Sequence, residues 1–488
     1  MKDKIITYAT ILFTCAAVMI FEIVGAKVLA PYFGASHYVW ISQILITLLS
    51  ISFGTFLAGV IKPSKRAMSV LMVSAGIYIL VSIKALSLLV GLIIDLDYLL
   101  AASISSLFLF FFPLSVLAMV YPVLGQPLIA SGKSSLSAVS AISTLGSVIG
   151  TGLTGLYLIT HYSNYEILVY TSILIIAWAI AIEYFQSNNK KVLYSLAIIP
   201  AIFFLLNNHS SSEEKMEVID YHNSPFGEIL LIKKDNKLMV VNDGLTQNKY
   251  NEKKESLGLF SYMLSHLSLN YSTNSDRILT LGVAMGVVPT YLSSLGKENI
   301  GVEINPEMIK FAEKYFDYDT TKIPTLIGDA RYMIRKVDKK QDVIILDAFL
   351  VDTVPSNLIT KQSFQEMKNL LNDKGILVVN SFGSTDPVSL ITKSIFKTAS
   401  TVFKYGKIWS INKYNVFYVF SDEPIEQRHN YPVPLAPELI TEDWEKLKTA
   451  EITVSKDEGI LMTDEYNPIE ALDDSPRQFY RKQMKFLK

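Results

Sequence analysis

Long apolar runs fill the first 206 residues of this chain, whereas the remainder alternates between short apolar and polar stretches. Most of the long runs reach the roughly 20 residues that a helix needs to cross a lipid bilayer. They predict about seven membrane-spanning helices, near 5–30, 39–61, 67–93, 98–121, 135–160, 165–185 and 191–206. The last run is short for a span. We therefore expect residues 1–206 to form a multi-pass α-helical membrane domain, with the lipid bilayer as its partner.

A polar stretch at 207–215 predicts a linker, and a different pattern follows it. Three short apolar runs predict strands, near 216–221, 228–233 and 237–242. Asp235 and Asn236 provide a hairpin turn between the second and the third. The predicted domains are a membrane domain at 1–206, a linker at 207–215, a small β domain at 216–250, an α/β domain at 251–430 and a C-terminal extension at 431–488.

Between Asp276 and Asp347, successive apolar runs end in a glycine or a carboxylate. The runs predict parallel strands at 277–281, 300–304, 323–327, 342–346 and 375–380, and two antiparallel strands near 406–411 and 415–420. The groups at the ends of the first four strands are Gly282 with Gly286, Glu303, Gly328 with Asp329, and Asp347. Because parallel strands present their carboxyl ends at one edge of a sheet, we expect these groups to line a ligand-binding crevice.

Several of these groups have a structural alternative to a ligand contact. Glu303 lies 17 residues beyond Gly286, close to where nucleotide-binding sheets place an acid for ribose hydroxyls. It could instead interact with a helix N-terminus before Pro306. Asp329 could accept a hydrogen bond from an adenine amino group, cap a helix predicted at 330–337, or do both. The glycine turn could serve helix–strand packing as well as ligand approach.

Composition excludes several kinds of site and partner. Half of the 488 residues are hydrophobic, and Cys15 is the only cysteine, so neither a disulfide framework nor a cysteine-based metal site is available. The six histidines lack metal-ligand spacing, and we expect no bound metal. Residues 1–208 carry 10 Lys and Arg against 6 Asp and Glu (+4), which leaves 34 against 39 (−5) for the remainder. This mildly acidic second half disfavours nucleic acid as a partner.

Loop charges indicate an orientation in the membrane. The cationic residues of the loops fall on one side, and they are Lys2, Lys4, Lys62, Lys65, Arg66, Lys133, Lys190 and Lys191. The positive-inside rule then places the N-terminus in the cytoplasm. Seven crossings would put the second half outside, whereas six would keep it inside if 191–206 lies in the interface or turns back. We expect a multi-pass protein of the inner (plasma) membrane with a cytoplasmic second half.

Glu22 and Lys27 are ionisable residues within the first predicted span. Ionisable groups at membrane depth are candidates for function. Alternatively, the two side chains could satisfy each other or reach the interface near a helix break at Pro31.

Further motifs accompany the strand ends. They are Asp243-Gly244 with Gln247, Gly328-Asp329-Ala330, Val354-Pro355 with Leu358-Ile359-Thr360, Gly375 to Asn380, Phe21-Glu22, Leu29 to Gly34, and Leu461 to Pro468. As an ordered set, these motifs resemble the polyamine aminopropyltransferase (spermidine synthase) family, in its membrane-fused branch. The resemblance implies a Rossmann-like, methyltransferase-type α/β fold and a transferase that acts on a di- or polyamine, of the putrescine-to-spermidine type. Decarboxylated S-adenosylmethionine would be the cosubstrate, with no tightly bound cofactor. A homodimer is one open alternative for the oligomeric state.

The resemblance also implies functions for the matching residues. Asp347 corresponds to the catalytic aspartate, which orients the attacking amine and accepts its proton. The residues that would bind the S-adenosyl nucleoside are Gln247, Gly282, Gly286, Glu303 at the ribose, and Asp329 with Ala330 at the adenine. Asp352 and Asp464 are candidates for contact with the substrate amine.

The sequence departs from the family pattern at three places. Ala284 stands where the family commonly has glycine, and the Tyr-His-Glu triplet expected after Gln247 is missing. Leu350 replaces a second acidic residue. Two other functions therefore stay open. One is an S-adenosylmethionine-dependent methyltransferase, and the other is a non-catalytic transporter or sensor that binds a polyamine or a nucleoside.

Overall fold

The computed structural model describes residues 2–33, 37–61, 65–93, 96–129, 133–187, 217–349, 354–411, 415–439, 444, 447–448 and 451–472. The chain divides into two units. The first comprises Met1–Lys215, Asn223–Gly227 and Leu487–Lys488, and the second comprises Met216–His222 and Glu228–Phe486. Each unit has its own buried apolar clusters, as the change in hydropathy along the chain predicts.

The described N-terminal part of the first unit is helical. Its helices are α1 Lys2–Phe33, α2 His37–Ile61, α3 Lys65–Ile93, α4 Tyr98–Ser106, α5 Phe112–Ile129, α6 Lys133–Leu153, α7 Ile159–His161 and α8 Asn164–Ser187. π-helical turns at Leu107–Phe111 and Thr154–Leu158 join α4 to α5 and α6 to α7. Six helical stretches among the described residues are long and apolar enough to cross a membrane. The span predicted at 191–206 and the linker predicted at 207–215 lie outside the described residues.

Glycines bring the backbones of α1 and α6 into contact. A Cβ atom at Gly146 would lie 2.3 Å from the carbonyl oxygen of Leu12, and one at Gly150 would lie 2.4 Å from that of Ala16. A larger residue at either position would push the helices apart. Small residues therefore decide how closely these two helices pack.

Lys27 finds backbone partners within the first unit. Its Nζ donates to the carbonyl oxygens of Ser224 and Pro225, each at 3.1 Å. The helix break expected at Pro31 is wrong, because α1 continues through this residue to Phe33. Only the last turn of the helix follows the proline, so the loss of one backbone donor is tolerated.

Four antiparallel strands precede the α/β part of the chain, namely β1 Glu217–Ser224, β2 Gly227–Lys234, β3 Lys237–Asn242 and β4 Leu245–Tyr250. Asp235 and Asn236, with φ angles of 49° and 61°, form the predicted hairpin turn between β2 and β3. The sequence pattern does not predict β4, because its residues are mostly polar. The signal for it is Asp243-Gly244, a second hairpin dipeptide with positive φ at both residues.

In the part of the chain that the structure describes, eight strands form the second sheet, namely β5 Arg277–Leu281, β6 Glu298–Glu303, β7 Thr325–Ile327, β8 Gln341–Leu346, β9 Leu371–Phe382, β10 Tyr405–Ser410, β11 Asn415–Ser421 and β12 Glu451–Ile452. Their order is β12-β10-β11-β9-β8-β5-β6-β7. β5 to β9 pair in parallel. The other pairs are antiparallel: β11 pairs with β9, β10 with β11, and β12 with β10. This topology confirms the predicted Rossmann-like, methyltransferase-type fold, including its antiparallel end.

The helices of the second unit include α9 Leu259–Asn270, α10 Val287–Ser294, α11 Pro306–Tyr315, α12 Ala330–Ile334, α13 Lys361–Leu370, α14 Leu390–Ser400 and α15 Ile469–Leu472. α10 to α13 connect the parallel strands in turn. The strand order reverses between β5 and β8, because β6 and β7 lie on one side of β5 and β9 lies beyond β8. The loops after β5 and β8 therefore diverge, which leaves a crevice at the carboxyl ends of these strands.

Gly150→Val should destabilise the first unit by about 1–3 kcal/mol, because the added side chain would overlap the Ala16 carbonyl group. Gly152→Val is the matched control, since a Cβ atom at that position would meet no described atom within 4 Å apart from the nearby backbone of its own helix. Thermal unfolding of the detergent-solubilised full chain, followed by circular dichroism, should show the lower midpoint for Gly150→Val only. Equal midpoints for the two variants would contradict the contact between α1 and α6.

Candidate active site

Backbone hydrogen bonds bring the carboxyl ends of β5, β6, β7 and β8 to one edge of the sheet. They run from the N–H of Asp347 to Leu281, from that of Gly282 to Val302, and from that of Gly328 to Glu303, at 2.8, 2.9 and 2.8 Å. The predicted residues that follow these strands therefore share the edge at which the strand order reverses. In open α/β sheets, ligands bind at this place.

The turn after β5 depends on two glycines. Gly282 has a φ of 94°, and a Cβ atom there would lie 2.3 Å from the carbonyl oxygen of Asp347. Gly286 has a φ of 75°, and a Cβ atom there would lie 2.3 Å from the ring of Tyr318. Ala284, between them, has a φ of 47°. A left-handed conformation costs a residue with a side chain about 1–2 kcal/mol, so alanine strains this turn where glycine would not.

Glu303 holds the glycine turn in place. Its side chain is 8% exposed, and its Oε2 accepts hydrogen bonds from the N–H groups of Val283 at 3.1 Å and Ala284 at 3.0 Å. Its Oε1 accepts one from the N–H of Asn305 at 3.0 Å. Burial raises the pKa of Glu303, and the backbone donors, which favour the charged form, oppose that rise. The carboxylate thus organises the turn, while its contact with a ribose stays a prediction.

Asp347 is held by a residue that was not among the predicted site residues. Asn380 Nδ2 donates to Asp347 Oδ1 at 2.7 Å. Removal of the carboxyl group from water raises the pKa of Asp347 to about 7, with the hydrogen bond from Asn380 lowering it and the charge of Glu303 raising it. A carboxyl group that titrates near neutrality can exchange a proton with a bound amine at physiological pH.

Strand register explains why Asn380 and Asp347 meet. β8 and β9 pair in parallel with Leu346 opposite Val379, so the next residue of each strand lies beside the other. Asn380 is buried, and its Oδ1 has no hydrogen-bond partner among the residues that the structure describes. The sequence signal for it is a polar residue at the end of the apolar run that predicts a strand at 375–380.

Asp329 caps α12, as one of its two predicted roles requires. Its Oδ1 accepts a hydrogen bond from the N–H of Tyr332 at 3.1 Å, and its Oδ2 accepts one from Asn357 Nδ2 at 3.3 Å. Ala330 is the first residue of the helix and is buried. The helix ends at Ile334, three residues before the predicted end. The contact of Asp329 with an adenine stays a prediction.

The other predicted residues lie on other elements or outside the described part of the chain. Gln247 is a partly buried residue of β4, in the four-stranded sheet. Asp352 lies outside the described residues. Asp464 forms an ion pair with Arg331 at 2.7 Å and also accepts a hydrogen bond from Thr360 Oγ1 at 2.7 Å. Sequence reasoning missed Arg331, which has no local signal apart from its place directly after Ala330.

Comparison with known proteins connects this fold to a family. Residues 259–414 match the spermine/spermidine synthase domain. A polyamine aminopropyltransferase of Vibrio vulnificus (strain CMCP6) is 33% identical over 160 residues, which cover 30% of this chain and 53% of that protein. An N-terminal histidine N-methyltransferase of Emericella nidulans is 32% identical over 130 residues, 25% of this chain and 23% of that protein. The chain therefore spans about half the length of these curated relatives, or less.

Among solved structures, the spermidine synthase of Thermotoga maritima is similar to this chain with a TM-score of 0.37 and 18% identity, over 56% of this chain and 90% of its own. The sequence matches confirm the resemblance seen in the motifs, because they fall on the α/β part of the chain.

Asp347→Asn should stabilise the folded protein above pH 7 but not at pH 4. The pKa of Asp347 is about 7 in the folded state against an ordinary value of 3.8, so stability is lost as the pH rises between these values. Asparagine stays neutral and escapes this loss. Unfolding midpoints of wild type and variant should therefore diverge between pH 4 and pH 8. Asp373→Asn, at an exposed position of β9, is the control and should give parallel profiles. A difference between Asp347→Asn and wild type that does not change with pH would exclude a raised pKa.

Proposed function

We propose that this chain, whose C-terminal region carries a spermine/spermidine synthase domain, is a membrane-anchored aminopropyltransferase. It moves the aminopropyl group of decarboxylated S-adenosylmethionine to a di- or polyamine, of the putrescine-to-spermidine type. The observation that carries this proposal is the carboxyl group of Asp347. It has a pKa of about 7 and lies where the strand order reverses, beside a glycine turn.

The reaction requires a neutral amine, because an alkylammonium group has no lone pair for nucleophilic attack. Asp347 in its ionised form accepts a proton from the bound ammonium group and orients the amine that results. The nitrogen then attacks the methylene carbon next to the sulfonium sulfur. A C–N bond forms as the C–S bond breaks, and the electron pair of the C–S bond stays on sulfur, which becomes a neutral thioether. The product amine leaves as a cation, and Asp347 passes its proton to solvent.

The strand ends support a nucleoside site beside this carboxyl group. Gly282 and Gly286 let a ligand approach the backbone, and Glu303 follows the neighbouring strand at the position that binds ribose in related sheets. Asp329 with Ala330 follows the strand after that and would contact the adenine. Alignment of the amine with the sulfonium carbon would then supply much of the rate acceleration. Gln247 would contact the nucleoside or sulfonium side.

The long apolar helices support attachment to the inner (plasma) membrane. Six of them are described, and six crossings from a cytoplasmic N-terminus return the chain to the cytoplasm if the stretch at 191–206, which lies outside the described residues, does not add a seventh. We therefore place the transferase domain on the cytoplasmic side, where a nucleoside cosubstrate is available. A topology reporter fused after Lys215 tests this placement, and an external signal would contradict it.

A second candidate function is methyl transfer from S-adenosylmethionine. The match to an N-terminal histidine N-methyltransferase favours it, and the fold alone does not separate the two reactions. The two cosubstrates differ by one carboxyl group, so an assay with each one alone shows which of the two groups the protein transfers.

The purified protein should convert decarboxylated S-adenosylmethionine and a mixture of amines into a thioether nucleoside and an aminopropylated amine. Mass spectrometry of the products measures this and identifies the amine. Asp347→Asn should lower kcat about a hundredfold or more and keep nucleoside binding, because the loss is that of a general base. Asp373→Asn is again the control, with wild-type rates expected. Methylated products formed from S-adenosylmethionine, with no aminopropyl transfer, would replace this proposal with the second candidate.

Asn380→Leu should shift the pH dependence of kcat/KM towards higher pH. The amide hydrogen bond lowers the pKa of Asp347, so its removal raises that pKa above about 7 and moves the acid limb of the profile with it. Asn372→Leu is the matched control. Asn372 donates to Asp342 at 2.5 Å, which gives a second Asn–Asp pair on β8 and β9, near the opposite ends of these strands. Equal shifts in the two variants would show that Asn380 does not act through Asp347.

A further inference from the structure

Arg331 uses all its hydrogen-bond donors to join separate segments of the second unit. Its side chain is 13% exposed. Nη1 donates to Asp464 Oδ1 at 2.7 Å and to the carbonyl oxygen of Asn357 at 3.2 Å. Nη2 donates to Asp464 Oδ2 at 2.7 Å and to Glu366 Oε1 at 3.1 Å, and Nε donates to Glu366 Oε2 at 3.3 Å. Because a guanidinium group has five N–H donors, each one has a protein acceptor.

Asp464 belongs to a segment, Leu461–Asn467, that we call the C-terminal strap. Its carboxylate accepts both Nη groups of Arg331 and the hydroxyl of Thr360. The hydrogen bonds from Arg331 are the main cause that lowers the pKa of Asp464, so this carboxylate stays ionised at neutral pH. Three protein donors therefore bind the Asp464 carboxylate, which the family resemblance made a candidate for contact with the substrate amine.

The strap also holds the chain that leads from Asp347 to α13. The carbonyl oxygen of Met462 accepts a hydrogen bond from the N–H of Lys361 at 2.9 Å. Asn467 Nδ2 donates to the carbonyl oxygen of Ser356 at 2.7 Å. Together with Asp464 and Arg331, these contacts fix the stretch at 356–361 from both of its ends.

Asn357, within this stretch, connects the network to the predicted nucleoside site. Arg331 binds its carbonyl oxygen, and its own Nδ2 donates to Asp329 Oδ2 at 3.3 Å. The other oxygen of Asp329 caps α12. The orientation of this carboxylate is therefore set on one side by the helix and on the other by Asn357.

The geometry of the Arg331–Asp464 pair differs from that of an ordinary surface ion pair. Exposed pairs contribute little, because both side chains remain solvated and mobile. Here two parallel N–H···O bonds form between planar groups, and the remaining donors are also used. Lysine has three donors on one atom and cannot reproduce this arrangement. The pair therefore fixes the relative orientation of the guanidinium group and the carboxylate, whereas electrostatic attraction alone would not.

We propose that Arg331 is a positioning residue for the nucleoside. With Asp464 it holds Asn357, and through Asn357 it orients the carboxylate of Asp329, so that the C-terminal strap forms a structural part of the nucleoside site. This inference rests on the proposed function, since it assigns Asp329 to the nucleoside half of that site.

Arg331→Lys and Asp464→Asn in the full chain test the proposal. Calorimetric titration with 5′-deoxy-5′-methylthioadenosine, the thioether product, should show about tenfold weaker binding for both variants, as expected from the loss of a charge-assisted hydrogen bond. The KM for decarboxylated S-adenosylmethionine should rise by the same factor. The KM for the amine and the pH profile should not move, because Asp347 keeps its surroundings.

Glu451→Gln is the matched control. It breaks the pair of Lys407 and Glu451, also 2.7 Å long, which ties β12 of the same C-terminal extension to β10 at the opposite edge of the sheet. Nucleoside affinity should stay at the wild-type value in this variant. Asn357→Leu gives a second test if the charge variants fold poorly, because it removes the link to Asp329 and leaves the ion pair intact.

The outcomes separate the inference from the function on which it rests. Wild-type protein that neither binds the nucleoside nor forms product contradicts the proposed function and the inference with it. Wild-type protein that does both, with Arg331→Lys and Asn357→Leu matching Glu451→Gln in affinity, overturns the inference alone. A fall in the unfolding midpoint of Arg331→Lys without a change in nucleoside affinity also overturns it, since the pair would then only stabilise the fold.

Discussion

The close approach of β5 and β8 at their carboxyl ends is the constraint on which the candidate site depends. A side chain at position 282 would meet the carbonyl oxygen of Asp347 at 2.3 Å, so the two strand ends approach this closely only because residue 282 is glycine. The start of the glycine turn and the place of the Asp347 backbone depend on this contact, and the crevice follows from the reversal of strand order between β5 and β8. Function at this edge is therefore a consequence of sheet topology first and of side-chain chemistry second.

Two acids share the edge, and their surroundings give them different properties. Glu303 receives hydrogen bonds from backbone N–H groups, which support its charged form against burial. Asp347 receives one from the amide of Asn380 and also experiences the negative charge of Glu303. Asp347 has fewer donors than Glu303, and burial raises its pKa to about 7. Burial raises the pKa of both acids, and the donors around each carboxyl group oppose that rise.

Local sequence signals predicted the features that depend on neighbouring residues. Asp235 and Asn236 mark a hairpin, Gly282 and Gly286 mark a turn, and each strand end carries its polar group. The partners of those groups were not predictable in the same way. Asn380 lies 33 residues from Asp347, and Asp464 lies 133 residues from Arg331, so only register and packing bring them together. β4 was missed for a different reason, since its polar residues give no apolar alternation.

The backbone contacts of Glu303 have a consequence for the energetics of binding. Fixing a free glutamate side chain costs about 1.5–2 kcal/mol of conformational entropy. In this protein the entropy of the Glu303 side chain is lost when the chain folds, because the N–H groups of Val283, Ala284 and Asn305 hold the carboxylate in the absence of a ligand. A ligand that binds Glu303, as in the proposed function, would meet an acceptor already in a single rotamer, and the ordering of that side chain would not reduce its binding free energy.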